Sequence, residues 1–130
     1  MIGLDTNVVI RYLTQDDARQ AAKANKLIEQ QLSPKSPGFI TVITMVEIVW
    51  VLESCYRQNR DDISRVLYSL LTTKQLVVEC ADKVYLALRR YGNAKADLSD
   101  ALIAIIAEQE GCERVVTFDK QAVNVGMELL

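Results

Sequence analysis

Four short apolar runs constrain this chain more than any other feature. Ile2 to Leu4, Phe39 to Ile43, Leu76 to Cys80 and Arg114 to Asp119 are each too short for a helix. Each is rich in β-branched or other apolar residues, and each is followed by a stretch with helix-forming character. Strands that alternate with helices pair in parallel, because the helix returns the chain to the same end of the sheet. The expected architecture is a three-layer α/β/α fold, a parallel sheet of four or five strands flanked by helices. Met127 to Leu130 supplies the fifth strand, and Ile2 to Leu4 forms the central one.

The helices follow from spacing and stop signals. Thr6-Asn7 opens one that carries Val8, Val9, Ile10, Tyr12 and Leu13, and Asp16 to Leu32 is amphipathic with an acidic start. Ser33 to Gly38 is a loop, Thr44 opens a helix to about Arg57, and Arg60 to Thr73 forms another. Ala81 to Tyr91 stops at Gly92. Asp97 or Ser99 opens a last helix whose Ala101 to Ala107 run is apolar nearly all round, so it belongs in the middle, and Gly111 ends it.

Composition bounds the function. A chain of 130 residues, 50% hydrophobic and 25% charged, suits one domain spanning 1–130 that needs no metal or disulfide to hold it. Cys55, Cys80 and Cys112 are odd in number and far apart, which reads as free thiols in a reducing compartment, the cytoplasm. Neither a signal peptide nor a membrane span is legible. A net charge of −2 argues against a general nucleic-acid-coating surface, although Arg57 with Arg60, and Arg89, Arg90 and Lys95, form local basic groups.

The acids carry the chemistry. Asp5 ends the first strand, Glu47 lies in the first turn of the helix after the second, Asp97 and Asp100 open the apolar helix, and Asp119 ends the Val115-Val116 strand. Each also has a capping reading. Asp5 or Thr6 caps a helix, Thr44 to Glu47 matches a capping box, Asp97 with Asp100 is a cap and a first-turn acid, and Asp119 caps a short helix. Yet the carboxyl edge of a parallel sheet is where strand ends and helix starts share a crevice. Acids gathered there repel one another and raise each other's pKa unless a cation is present, which calls for a hard divalent ion such as Mg²⁺ or Mn²⁺. Histidine is absent, which removes His-based zinc sites and Ser-His or Cys-His nucleophile systems, and no glycine-rich phosphate loop occurs.

Asp5-Thr6-Asn7 after an apolar strand, Glu47 in an apolar helix, Ala96 to Ala104 and Val116-Thr117-Phe118-Asp119, in that order, resemble the PIN-domain ribonucleases. The likeness is nearest to VapC-like toxins of bacterial type II toxin–antitoxin pairs, and it spans the chain. The resemblance implies a metal-dependent endoribonuclease with one or two Mg²⁺ or Mn²⁺ ions, commonly a homodimer, held in check by a small antitoxin. It places Asp5, Glu47, Asp100 and Asp119 on the family's acidic quartet, adds Asp97 as an acid found in some members, and gives Thr6, Asn7 and Thr117 supporting positions. Two other classes remain open: a receiver-like, Mg²⁺-binding phosphoacceptor domain, and a non-catalytic PIN-like binding subunit whose acids only cap helices. The receiver reading lacks an aspartate at the end of a mid-chain strand, and a dehalogenase-like phosphatase would need an acid where Asn7 stands. Tyr12, Leu13, Trp50, Tyr56 and Tyr68 read as core rather than interface.

Overall fold

A computed structural model describes all 130 residues, Met1 to Leu130. Five short strands, β1 (Ile2–Gly3), β2 (Gly38–Ile40), β3 (Leu76–Val78), β4 (Val116–Thr117) and β5 (Glu128–Leu129), alternate with six α-helices. These are α1 (Thr6–Thr14), α2 (Ala18–Asn25), α3 (Val42–Ser54), α4 (Arg60–Thr72), α5 (Ala81–Asn93) and α6 (Leu98–Gln109). A π-helical stretch, Lys26–Gln31, extends α2, and a 3₁₀ helix, Lys120–Val125, joins β4 to β5.

All strand pairs are parallel, as the alternation requires, but the hydrogen-bonded ladders are two. One runs β1-β2-β3, and the other is β4-β5. The expected central strand is therefore corrected: β2 lies in the middle of its ladder and β1 on its outside. Gly3 stands opposite Phe39, and Phe39 opposite Val77. Ile2 is accordingly 46% exposed while Leu4 is buried.

Gly38 explains how three strands meet so closely. A Cβ there would lie 2.8, 2.9 and 3.1 Å from side-chain carbons of Leu32, Leu4 and Leu76, all three buried. Gly38→Ala is expected to cost about 1–3 kcal/mol by overpacking this junction, read as a fall of the thermal midpoint; an unchanged midpoint would show that the leucines yield freely.

The helix after the second strand starts earlier than its sequence suggests. Thr41 is the cap of α3, its hydroxyl accepting the Thr44 N–H at 3.1 Å, so Val42 and Ile43 form a first helical turn instead of the end of a strand. β-branched residues are mediocre helix formers, and here the cap and the buried face of Met45, Ile48, Val49 and Leu52 override that preference. The capping box at Thr44 is thus absent, and Glu47 sits in the second turn. Glu79 adds a second cap, its carboxylate accepting the Val42 N–H at 3.0 Å.

One apolar cluster of 25 residues from Leu4 to Val125 draws on β2, β3, the π-helical stretch and α1, α3, α4, α5 and α6, with Leu4 joining it just after β1. A second, of Ala104, Ala122 and Met127, sits beneath the C-terminal ladder. Within α6 the apolar run is not buried all round: Ala101, Leu102, Ala104 and Ile105 face inward while Ile103 is exposed. Trp50 and Tyr68 are also exposed, contrary to the core assignment, whereas Tyr12, Leu13 and Tyr56 pack partly buried against the core. The three cysteines are unbridged. No helix is long and apolar enough to cross a membrane.

Candidate active site

The acids are positioned by helix starts. Asp5 follows the first ladder strand and caps α1, its Oδ1 accepting the Thr6 N–H at 2.8 Å. The cap reading and exposure of the carboxylate are compatible, because Asp5 also lines a cavity of about 410 Å³. Glu47, from α3, lines the same cavity together with Thr6, Asn7, Arg11 and Tyr56. Glu47 makes no cap and no ion pair, so nothing in the chain uses its charge.

The remaining three acids form another group. Asp97 caps α6 through its backbone, since the Ala101 N–H bonds to its carbonyl, but its side chain makes no cap hydrogen bond. Asp100 lies one turn on. Partial burial pushes its carboxyl pKa up, and the charges of Asp97 and Asp119 push it further; a hydrogen bond from the Asp97 backbone works the other way. Asp119 is exposed, accepts the Gln121 N–H at 2.9 Å and so caps the 3₁₀ helix. No ion pair joins any of these three to an arginine or lysine.

The five acids expected in one crevice are therefore drawn together as Asp5 with Glu47, and Asp97 with Asp100 and Asp119. Helix α3, which carries Glu47, packs against both α1 and α6. No three carboxylates are gathered tightly enough to enclose an ion. The donor set itself suits a hard divalent cation: oxygen ligands only, with an uncompensated excess of negative charge around a half-buried Asp100.

The supporting hydroxyls have definite partners. Thr6 is buried and its Oγ1 donates to Thr44 Oγ1 at 3.4 Å, while the Thr117 hydroxyl accepts the Asp119 N–H at 3.0 Å and fixes the turn carrying that acid. Asn7 makes no side-chain hydrogen bond and faces the cavity.

Two basic residues at the site were not singled out for it by sequence reasoning. Arg11 lines the Asp5–Glu47 cavity, bonded to Gln20 at 2.7 Å and to Asp16 at 3.3 Å; its i, i+4 spacing from Asn7 was the available signal. Asp16 is held below the usual carboxylate range, first by the Tyr56 hydroxyl and then by Thr14. Arg60 is the other. Its guanidinium donates to the carbonyls of Tyr91 at 3.0 Å, Lys95 at 2.7 Å and Ala96 at 2.8 Å, and lies 4.3 Å from the centroid of the Tyr91 ring. Tyr91 is fully buried and donates its hydroxyl to Glu53 at 2.7 Å. Burial, then Glu53, push the Tyr91 hydroxyl pKa well up. This network holds the turn from which Asp97 and α6 start, and no sequence spacing links Arg60 to Lys95.

A family model described as PIN domain matches residues 2–127. The chain belongs to the PIN domain family. This PIN domain has the three-layer α/β/α fold expected of its sequence, with its parallel strands divided between two ladders. It is also 25% identical, over 124 residues, to the VapC ribonuclease of Aquifex aeolicus (strain VF5), an alignment covering 95% of this chain and 90% of the relative. The receiver-like alternative loses its ground, since β2 runs into Thr41 and β3 into Glu79, leaving no strand-end aspartate mid-chain.

Proposed function

We propose that this PIN domain is a metal-dependent endoribonuclease that hydrolyses RNA phosphodiester bonds as the toxin component of a toxin–antitoxin pair. The observation that carries the reading is the like-charge neighbourhood of Asp100, three acids with no basic partner at the start of a PIN-domain helix. The likeness to a VapC ribonuclease along 95% of the chain supports the choice of RNA. A small antitoxin protein, a homodimer and a cytoplasmic location belong to the same proposal.

Asp5, Asp100 and Asp119, with Asp97 and Glu47, would hold one or two Mg²⁺ or Mn²⁺ ions. Bound there, such an ion supplies Lewis-acid activation of water and neutralises charge on the phosphate and leaving oxygen. The protein's part is positioning. Asp5 is fixed by the start of α1, Asp119 by Thr117, and Asp97 with Asp100 by the turn that Arg60 grips. Arg11 and Asn7 offer a guanidinium and an amide beside Asp5, donors suited to a backbone phosphate. Water is the nucleophile, leaving a 5′-phosphate and a 3′-hydroxyl, and the ribose 2′-hydroxyl takes no part in the attack.

The test compares wild type with Asp5→Asn on mixed RNA in Mn²⁺, with and without EDTA. Asparagine caps a helix as well as aspartate, so the variant is expected to fold with an unchanged thermal midpoint while cleavage disappears. Equal cleavage by both proteins, or full cleavage in excess EDTA, overturns the assignment.

A further inference from the structure

Helices α4 and α5 border a cleft of about 530 Å³ that contains none of the five acids. Its wall presents Arg65, Tyr68 and Ser64 from α4, and Tyr85, Leu88 and Arg89 from α5. No aspartate or glutamate lines it, in a chain whose net charge is −2. Each helix thus contributes one arginine and one tyrosine one turn apart, at i, i+3 on α4 and i, i+4 on α5.

The aromatic pair is exposed. Tyr68 is 56% and Tyr85 38% accessible, with ring centroids 6.1 Å apart and planes at 75°. In an edge-to-face pair the partner does not cover the faces of the ring that offers its edge, which leaves exposed ring surface on which a planar ligand can stack. The cations are also available. Arg89 has no ion pair, and Arg65 has only an exposed i, i+3 bridge to Asp62, which contributes little. Ser64 adds a buried hydroxyl oxygen with no hydrogen-bond partner, where a helical serine usually bonds back to its own helix.

Stacking faces interleaved with guanidiniums are the chemistry that takes single-stranded nucleic acid: bases stack on the rings and phosphates pair with the arginines. An apolar partner helix would instead want a continuous hydrophobic stripe, and here Leu88 alone supplies a buried aliphatic floor. We infer that the α4–α5 cleft is a second RNA-binding site, engaging a single-stranded segment of the substrate away from the acids. The inference rests on the nuclease reading for the identity of the ligand as substrate, and on the cleft alone for the binding.

The experiment measures fluorescence anisotropy of a labelled single-stranded RNA oligonucleotide with the full chain in EDTA, so that binding is read without cleavage. Wild type is compared with Arg65→Ala/Arg89→Ala and with Tyr68→Leu/Tyr85→Leu, each checked for a thermal midpoint near wild type. Both double variants are expected to bind roughly tenfold or more weakly, and the arginine pair should also flatten the dependence of log affinity on log salt by about 1.4. A single Arg89→Glu, on the exposed face of α5, provides a charge reversal that spares the core and should weaken binding similarly. In Mn²⁺ the same variants should raise KM for a long RNA with kcat nearly unchanged. Unchanged affinity and KM in all three variants overturn the cleft while leaving cleavage by the wild type intact. Binding lost in the variants of a chain that never cleaves RNA supports the cleft and sinks the nuclease reading. Displacement of the RNA by a polyglutamate peptide as readily as by unlabelled RNA, or loss of self-association in the arginine variant, overturns RNA as the occupant.

Discussion

Asp100→Asn is expected to reduce RNA cleavage roughly a hundredfold or more, about 3 kcal/mol of lost transition-state stabilisation, and at the same time to make the metal-free protein more heat-resistant. The two effects have one cause. Asp100 is half-buried beside Asp97 and Asp119, and its carboxyl pKa is raised. A raised pKa in the folded state means that folding favours the uncharged form, so the ionised form costs stability at neutral pH. Asparagine removes that cost without changing the shape of the group. Below the ordinary aspartate range both forms are uncharged, and the difference between variant and wild type should vanish; it should grow as pH rises through the Asp100 pKa. Thermal melts in EDTA across that window check the first half, and cleavage assays in Mn²⁺ the second. Addition of Mn²⁺ should raise the midpoint of wild type more than that of the variant, because a cation relieves only a repulsion that is present. A variant that melts lower than wild type in EDTA at neutral pH would show that Asp100 is stabilising, and would remove the argument for an uncompensated charge.

Arg60→Ala has the largest expected effect on the fold. The side chain donates to three carbonyls around the turn between α5 and α6 and lies over the ring of Tyr91. Its removal leaves those carbonyls to water and uncovers a buried ring. A loss of about 3 kcal/mol is expected, a fall of roughly 10 °C in the midpoint for a domain of this size. Cleavage should fall by roughly ten- to hundredfold, because the turn that aims Asp97 and Asp100 is loosened. Arg60→Lys keeps the charge but not the planar fork, and is expected to recover only part of either loss. A midpoint and activity equal to wild type would show that the turn holds itself. Arg60 acts through the backbone it grips, so the fall should appear in kcat more than in KM.

The α/β alternation, the parallel pairing and the order of the acids were legible because they follow from local rules: strand runs, helix spacing and the position of an acid at a strand end. Asp5 and Asp119 illustrate the limit of such rules. Both were read as either caps or site acids, and the helix starts use them as caps while leaving the carboxylates exposed. Glu47 went the other way, since the capping box that explained it dissolved once Thr41 took the cap. That shift by three residues was hidden because Val42 and Ile43 suit strand and helix alike. The division into two ladders was also illegible, as which strands pair is a matter of long-range packing and leaves no mark on runs of two or three residues. Trp50 and Phe118, 63% and 84% exposed, mark the same gap: composition places aromatic residues inside, and only tertiary structure says which remain outside.

The separate C-terminal ladder sets how firmly Asp119 is held. Its segment reaches the 25-residue cluster only through Val125 and otherwise rests on Ala104, Ala122 and Met127, and it is tied back by Arg90, which donates to the Val125 carbonyl at 2.8 Å and pairs with Glu108. With one residue in the main core and one guanidinium tie, this segment is expected to open locally at lower free-energy cost than the helices around the main cluster. Asp119 is therefore carried on a lightly anchored segment with Arg90 as its side-chain tie, while Asp5 and Glu47 belong to helix starts packed in the body of the domain.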